Sequence, residues 1–289
     1  MNNILKIGFI GLLATITHAS EVDYGKGTFE MSGGFVGLDK AISADISTYS
    51  MVEQHKNIGS SNWFYKYNFT WYDSDQMVQG QSSTNNVGSA VSVDLTTQPT
   101  IDYRLQGLDL NLVLGKDLIH SDENNYFAAG IMLGISIPWI DSKDDDDNDD
   151  SSDDDSDSME DSKTTIYTYK VGPSITVRKS LNSFFTIYGS GTYAYQTGTM
   201  KNDYADSDLT VNGTFQEYDF GIRFQPVSED YEFDWITISP RLYATLGYRY
   251  TSWDLDDINI DVTGTGRSFT QMDFNMNSKV TYFGLGYSF

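Results

Sequence analysis

The sequence has no cysteine, only five prolines among 289 residues, and 18 basic residues against 41 acidic ones. The absence of cysteine excludes a small disulfide-stabilised fold, so the chain must bury enough surface without cross-links. The formal net charge of −23 argues against nucleic acid or anionic lipid headgroups as default partners. Beyond the first twenty residues, no apolar run is long enough for a membrane-spanning helix.

Residues 1–19 are typical of a secretory signal peptide. Lys6 precedes a short apolar run from Ile7 to Ile16, and Thr17-His18-Ala19 ends on a small residue. The alternative is an uncleaved anchor helix, but the run is too short to span a bilayer comfortably. We therefore predict cleavage before Ser20 and a single exported domain over 20–289, since no linker divides the rest.

Past residue 25 the dominant pattern is alternation with period two, in segments of about ten to sixteen residues. The clearest segment is 236–250. Its apolar face carries Ile236, Ile238, Pro240, Leu242, Ala244, Leu246, Tyr248 and Tyr250, and its other face carries Thr237, Ser239, Arg241, Tyr243, Thr245, Gly247 and Arg249. Segments 63–71, 127–139, 167–178 and 217–225 divide in the same way.

A soluble sandwich also alternates, but three features favour a membrane barrel. The segments are longer than the five or six residues usual in soluble strands. Aromatic residues gather near their ends, as in the interfacial girdles of membrane barrels. The second face mixes Gly, Ser and Thr with charges, which suits an enclosed polar interior rather than lipid, where a charge costs about 2–4 kcal/mol at mid-membrane.

The last eleven residues, Lys279 to Phe289, end on phenylalanine with Tyr287, Leu285 and Phe283 at alternate positions upstream. This ending resembles the final strand of bacterial outer-membrane β-barrel proteins. The resemblance implies an outer-membrane location in a Gram-negative bacterium, the lipid bilayer as surroundings, and the barrel assembly machinery as a partner through the strand that ends in Phe289. The alternative is the closing strand of a secreted sandwich.

We predict an all-β, closed, antiparallel up-and-down barrel of about ten strands with long external loops. The strands are expected near 28–37, 41–51, 63–72, 99–118, 126–139, 164–178, 184–197, 211–225, 235–250 and 278–289. Connections near 73–98, 140–163, 198–210 and 251–277 would be external. The fourth strand changes its apolar face at Gln106-Gly107, which a β-bulge explains; a hairpin there would raise the count to twelve.

The sequence offers little for catalysis or for a bound cofactor. Of three histidines, His18 belongs to the signal peptide, and His55 and His120 fall in predicted periplasmic turns away from any serine and carboxylate on one strand. No histidine pair has metal-ligand spacing, so a zinc site is not expected. We predict no enzymatic activity, no catalytic or metal-binding residue and no cofactor.

Segment 141–163 is the strongest local charge feature, with about 13 acids and two lysines. It lacks the glycine-spaced pattern of a calcium-binding loop. We expect a disordered, solvated external loop, with weak divalent-cation or cationic-partner binding as the alternative.

The polar strand faces predict a charged interior. The residues expected to line it are Lys66, Arg104, Lys170, Arg178, Glu217, Asp219, Arg223, Arg241 and Arg249. These charges could select solutes in a small porin-like channel. Alternatively they form salt bridges that plug a narrow barrel, leaving a non-catalytic structural or adhesive barrel whose external loops bind a partner.

Overall fold

The structure, a computed structural model, describes residues 21–33, 38–56, 62–78, 102–119, 125–143, 163–202, 209–227, 230–233, 236–238, 241–262, 267–270 and 274–287. The predicted signal peptide, most of the acidic segment, His120 and Phe289 lie outside these ranges. Within them, no helix is long and apolar enough to cross a membrane.

Ten long strands make up most of the described chain. They are β1 (Glu21–Gly33), β2 (Leu38–Lys56), β3 (Trp63–Ser74), β5 (Asp102–Asp117), β6 (Asn125–Lys143), β7 (Lys163–Ser180), β8 (Phe185–Asn202), β9 (Leu209–Phe224), β12 (Leu242–Val262) and β14 (Phe274–Tyr287). Four short strands accompany them: β4 (Met77–Val78), β10 (Tyr231–Phe233), β11 (Ile236–Ile238) and β13 (Arg267–Thr270).

The ten long strands pair antiparallel with their neighbours and close on themselves through β14 and β1. Tracing paired residues from Tyr243 once around the barrel returns to β12 at Leu255, twelve positions farther on. A stagger of twelve over ten strands implies a strand tilt of about 40° and a backbone diameter of about 20 Å. The short pair β10–β11 lies between β9 and β12 and forms a separate two-stranded sheet.

Side chains alternate between the outside and the interior along every long strand. Above the periplasmic end, the outward residues form an apolar, exposed belt that includes Leu112, Ile131, Ile175 and Phe283. Strand β1 begins at Glu21 and β14 ends at Tyr287, and both residues lie at the same end of the barrel. In bacterial barrels of this topology that end is the periplasmic one. An apolar outer wall on a sheet with no open edge is the arrangement that a lipid bilayer requires. The molecule is therefore built as a membrane-spanning β-barrel.

Near the external end the polarity of the two faces inverts. Inward side chains there are apolar and buried, and they include Phe29, Met31, Leu105, Ile140, Ile166, Met200, Val211, Leu255, Phe274 and Met276. Outward side chains at the same level are polar, for example Asp73, Arg104 and Asn212. The strands thus continue beyond the membrane, where water lies outside the barrel and the apolar core lies inside.

Three predictions are wrong, the first two because of this inversion. Strand β5 pairs continuously with β6 from Asp102 to Asp117, so neither a bulge nor a hairpin occurs at Gln106-Gly107; the register shifts instead between Met31 and Gly33 and between Leu255 and Asp257. Much of the predicted external segments 198–210 and 251–277 is strand. The predicted strand 235–250 begins only at Leu242, because Ile236 and Ile238 belong to β11.

Candidate functional site in the charged interior

The membrane-level interior contains a network of ionic side chains from six of the ten long strands. The described inward acids are Glu21, Asp23, Asp109, Asp117, Glu217 and Asp219, and the inward bases are Lys66, Lys170, Arg178, Arg223 and Arg249. Six acids face five bases, so the interior is nearly neutral although the chain carries −23. The excess negative charge therefore lies elsewhere in the chain.

Asp219 on β9 and Arg249 on β12 form the centre of the network. Arg249 Nη2 lies 3.4 Å from Asp219 Oδ2 and 3.4 Å from Asp23 Oδ2, and its Nη1 donates to Ser50 Oγ at 2.7 Å. The Tyr282 hydroxyl donates to Asp219 Oδ1 at 2.6 Å. Asp219 thus accepts from two donors, as a carboxylate removed from water requires.

Two further contacts extend this centre across the barrel. Lys66 Nζ lies 3.9 Å from Asp219 Oδ2 and donates to Ser190 Oγ at 3.1 Å. The hydroxyls of Tyr188 and Tyr282 are 2.6 Å apart. Glycine makes room for these rings, because a Cβ at Gly247 would collide with the Tyr282 ring and the Tyr188 hydroxyl.

A second cluster lies higher in the barrel, just below the buried apolar side chains of the external end. Lys170 Nζ is 2.9 Å from Asp109 Oδ1 and 3.0 Å from Ser136 Oγ, and Ser136 also bonds Asp109. Trp253 Nε1 donates to Ser136 Oγ at 3.0 Å, and the Lys170 ammonium lies 3.8 Å from the centre of the Phe215 ring. The ammonium therefore has an ionic, a hydroxyl and an aromatic partner.

The serine–lysine contact at Ser136 resembles a nucleophile beside a base. However, Ser136, Lys170 and Asp109 are buried, with Trp253 and Phe215 against them. Among the described residues, these side chains cover Ser136, and its hydroxyl contacts Lys170, Asp109 and Trp253.

A third cluster lies near the periplasmic end. Arg223 Nη2 is 3.3 Å from Glu21 Oε2, and Thr245 donates to Glu21 Oε1 at 2.7 Å. The Arg223 guanidinium stacks 3.6 Å from the Tyr243 ring centre, and Arg178 lies over the Tyr126 ring at 5.4 Å. Aromatic rings and arginines thus fill this end.

Polar and charged side chains line a small cavity between these clusters. A cavity of about 10 Å³ lies among Lys66, Asn68, Asn111, Ser190, Thr192 and Glu217, which is room for about one water molecule. Among the described residues, no group of three or more His, Cys, Asp and Glu side chains is placed to hold a metal ion.

The structure brings together seven of the nine residues predicted to line the interior: Lys66, Lys170, Arg178, Glu217, Asp219, Arg223 and Arg249. Arg104 instead points outward and forms a bidentate pair with Asp73, with N–O distances of 2.9 and 2.8 Å. It was misplaced because the polarity of β5 inverts above the membrane. Arg241 is exposed in the turn before β12 and is not part of the wall.

Three inward acids that complete the ion pairs were not among the predicted interior residues. Glu21 and Asp23 precede residue 28, where the first strand was expected to begin, although β1 starts at Glu21. Asp109 alternates with Leu108 and Leu110 in β5. The period-two rule, applied to this stretch by itself, would have placed Asp109 inside.

Comparison with solved structures returns matches of low sequence identity, three of which follow. The outer membrane protease OmpT from Escherichia coli matches with a TM-score of 0.47 at 10% identity, covering 94% of this chain and 97% of that one. The Ralstonia pickettii toluene transporter TbuX matches with a TM-score of 0.35 at 8% identity, over 94% and 90% of the two chains. The attachment invasion locus protein Ail of Yersinia pestis matches with a TM-score of 0.28 at 9% identity, over 92% and 99%. No family model and no curated protein matches the sequence.

Proposed function

We propose that this outer-membrane barrel conducts no solutes and serves as a rigid, non-enzymatic scaffold that displays its external segments to a partner. One observation carries the proposal: eight of the eleven inward charges named above form ion pairs with each other, and the inward side chains near the external end are apolar and buried. A selective pore would instead present uncompensated charge along a continuous wet path.

The interior chemistry supports the same conclusion. Ion pairs buried at this depth hold a barrel in one geometry when each member keeps its partners. Ten strands lie closer in size to the eight-stranded barrels filled by side chains than to the sixteen-stranded barrels that enclose channels. A porin-like channel for small or charged solutes is therefore the less favoured function.

Conductance of the refolded protein in planar bilayers tests the proposal. We expect no stepwise current in KCl over a range of voltages, with an unrelated porin in the same bilayers showing that the assay detects pores. Heat-modifiable gel mobility establishes that the inserted protein is folded. Reproducible steps from the folded barrel, with an ion selectivity that changes in Arg249→Glu, would overturn the proposal.

Segment 141–163 is the external element that we propose as the binding surface, because its charge density favours cations. Calorimetry with calcium compares the refolded full chain with a deletion of 144–162 and with a variant in which each Asp of that segment is Asn. The proposal expects a heat of binding that both variants lose. Equal heats from all three proteins would exclude this segment as the binding element.

A further inference from the structure

The apolar belt on the outer wall is much shorter on β14 than on β6. From the periplasmic end of β14 upward, the outward apolar residues end at Phe283, and the first outward charge is Lys279. On β6 the outward face is apolar from Phe127 to Trp139, and its first charge is Asp141. The belt therefore ends at different heights on these two strands.

Strand register converts these positions to heights. With a tilt of about 40°, each residue advances about 2.5 Å along the barrel axis. The twelve-residue stagger, spread evenly over ten strands, places Tyr287 of β14 level with Phe127 of β6 at the periplasmic edge. From this common base, Phe283 is about 10 Å and Lys279 about 20 Å up, whereas Trp139 is about 30 Å and Asp141 about 35 Å up.

The neighbouring strands show the same difference. On β1, Val22 and Tyr24 are followed by the exposed Lys26. On β7, exposed apolar and aromatic residues continue from Val177 to Tyr167. In the closed order of strands, β14 and β1 lie diametrically opposite β6 and β7. The belt is thus a wedge, lowest at the closing strand pair.

The lysines at the low side are placed for contact with water. Lys279 Nζ lies 3.4 Å from Glu30 Oε1, and both side chains are nearly half exposed. Membrane barrels normally present an apolar band about 25 Å tall, and hydrocarbon against a charged wall is unfavourable. A short belt is accommodated by tilting the protein or by thinning the bilayer. Because Tyr287 and Phe127 place the lower edge at the same height on β14 and on β6, a rigid tilt that corrected the upper edge would misplace the lower one.

We propose that the barrel thins the outer leaflet beside the β14–β1 pair and leaves the membrane at full thickness beside β6–β7. Lys26 and Lys279 then lie among headgroups, and Trp139 and Tyr167 form the interfacial girdle on the opposite side. The bound surface is lipid, and the inference does not depend on the proposed function.

Spin labels at matched heights test this inference, and the absence of native cysteine makes single-cysteine variants straightforward. Thr281→Cys and Leu133→Cys are level on opposite sides in the upper half, and Val22→Cys and Ile175→Cys are level in the lower half. In reconstituted bilayers, we expect the Thr281 label to be several-fold more accessible to a water-soluble nickel chelate, relative to oxygen, than the Leu133 label. The two lower labels should match.

Two results would overturn the inference. Equal accessibility of the upper pair would show a membrane of uniform thickness, and a lower pair that differs as much as the upper pair would show a rigid tilt. A belt-lengthening variant, Lys26→Leu with Lys279→Leu, should move the Thr281 label into lipid. Lys201→Leu, on β8 above the belt, is the control that should not; an unchanged Thr281 label in the double variant contradicts the inference.

Discussion

Breaking the buried Asp109–Lys170 ion pair should destabilise the barrel far more than breaking a bidentate ion pair on its outer surface. Lys170 is 0% exposed and Asp109 6% exposed, with 2.9 Å between Nζ and Oδ1. Replacing one member leaves the other charge buried without its partner, which costs about 3–5 kcal/mol. Asp109→Leu and Lys170→Met should each lower the free energy of unfolding by about that amount.

The double variant and an exposed pair provide the comparison. Asp109→Leu with Lys170→Met removes both charges, so we expect a loss well below the sum of the single losses and within about 2 kcal/mol of the parent. Arg104 and Asp73 form a bidentate pair at 2.8 Å, but their side chains are 45% and 29% exposed. Arg104→Met should therefore cost about 1 kcal/mol or less.

Equilibrium unfolding of the refolded barrel in lipid vesicles, followed by tryptophan fluorescence and by heat-modifiable gel mobility, measures these differences. The reasoning is wrong if Asp109→Leu and Lys170→Met each cost no more than Arg104→Met. That result would mean that water reaches the pair and screens it. Strictly additive single losses would also contradict a direct ionic contact.

Three further variants, together with Gly189→Ala as a control, probe the packing of the interior. Gly247→Val should sharply reduce the yield of folded barrel in a refolding assay because its side chain would collide with the Tyr282 ring, whereas Gly189→Ala, whose Cβ would meet its nearest neighbours at an ordinary 3.6 Å, should fold normally. Tyr282→Phe removes a donor from Asp219 and should cost about 1–3 kcal/mol in denaturant unfolding; no change would show that water replaces the hydroxyl. Phe215→Ala opens a cavity between Lys170 and Trp253 and should cost about 3–5 kcal/mol, with a smaller loss contradicting close packing there.

The strands and their faces could be predicted because the bilayer imposes the same period-two rule on every strand. All ten long strands overlap the predicted segments. Outward Ile175 and Phe220 and inward Lys170 and Asp219 lie on the predicted faces. Side chains still alternate beyond the membrane boundary, but the polarity of the two faces inverts there: Arg104 points outward and Leu105 inward. The assumption that the outer face is apolar along the whole strand therefore predicts strands that end too early, or a bulge where none occurs.

The partners within the interior could not be predicted from the alternation alone. Lys170 on β7 contacts Asp109 on β5 across β6, and Arg249 on β12 contacts Asp23 on β1 across β14. Such contacts depend on how far each strand is shifted along its neighbour, and the alternation within one strand does not contain that shift. The sequence identified inward charges, but the choice between a plugged interior and a wet one required their distances.

Cysteine labelling along β8 tests the packed interior most directly. In intact proteoliposomes, Ser190→Cys and Thr192→Cys face the interior and Lys201→Cys faces the external solution. A small water-soluble thiol reagent should modify Cys at 201 rapidly and at 190 and 192 only after unfolding. Rapid modification at 190 and 192 in the folded protein would show an open aqueous lumen and contradict the account.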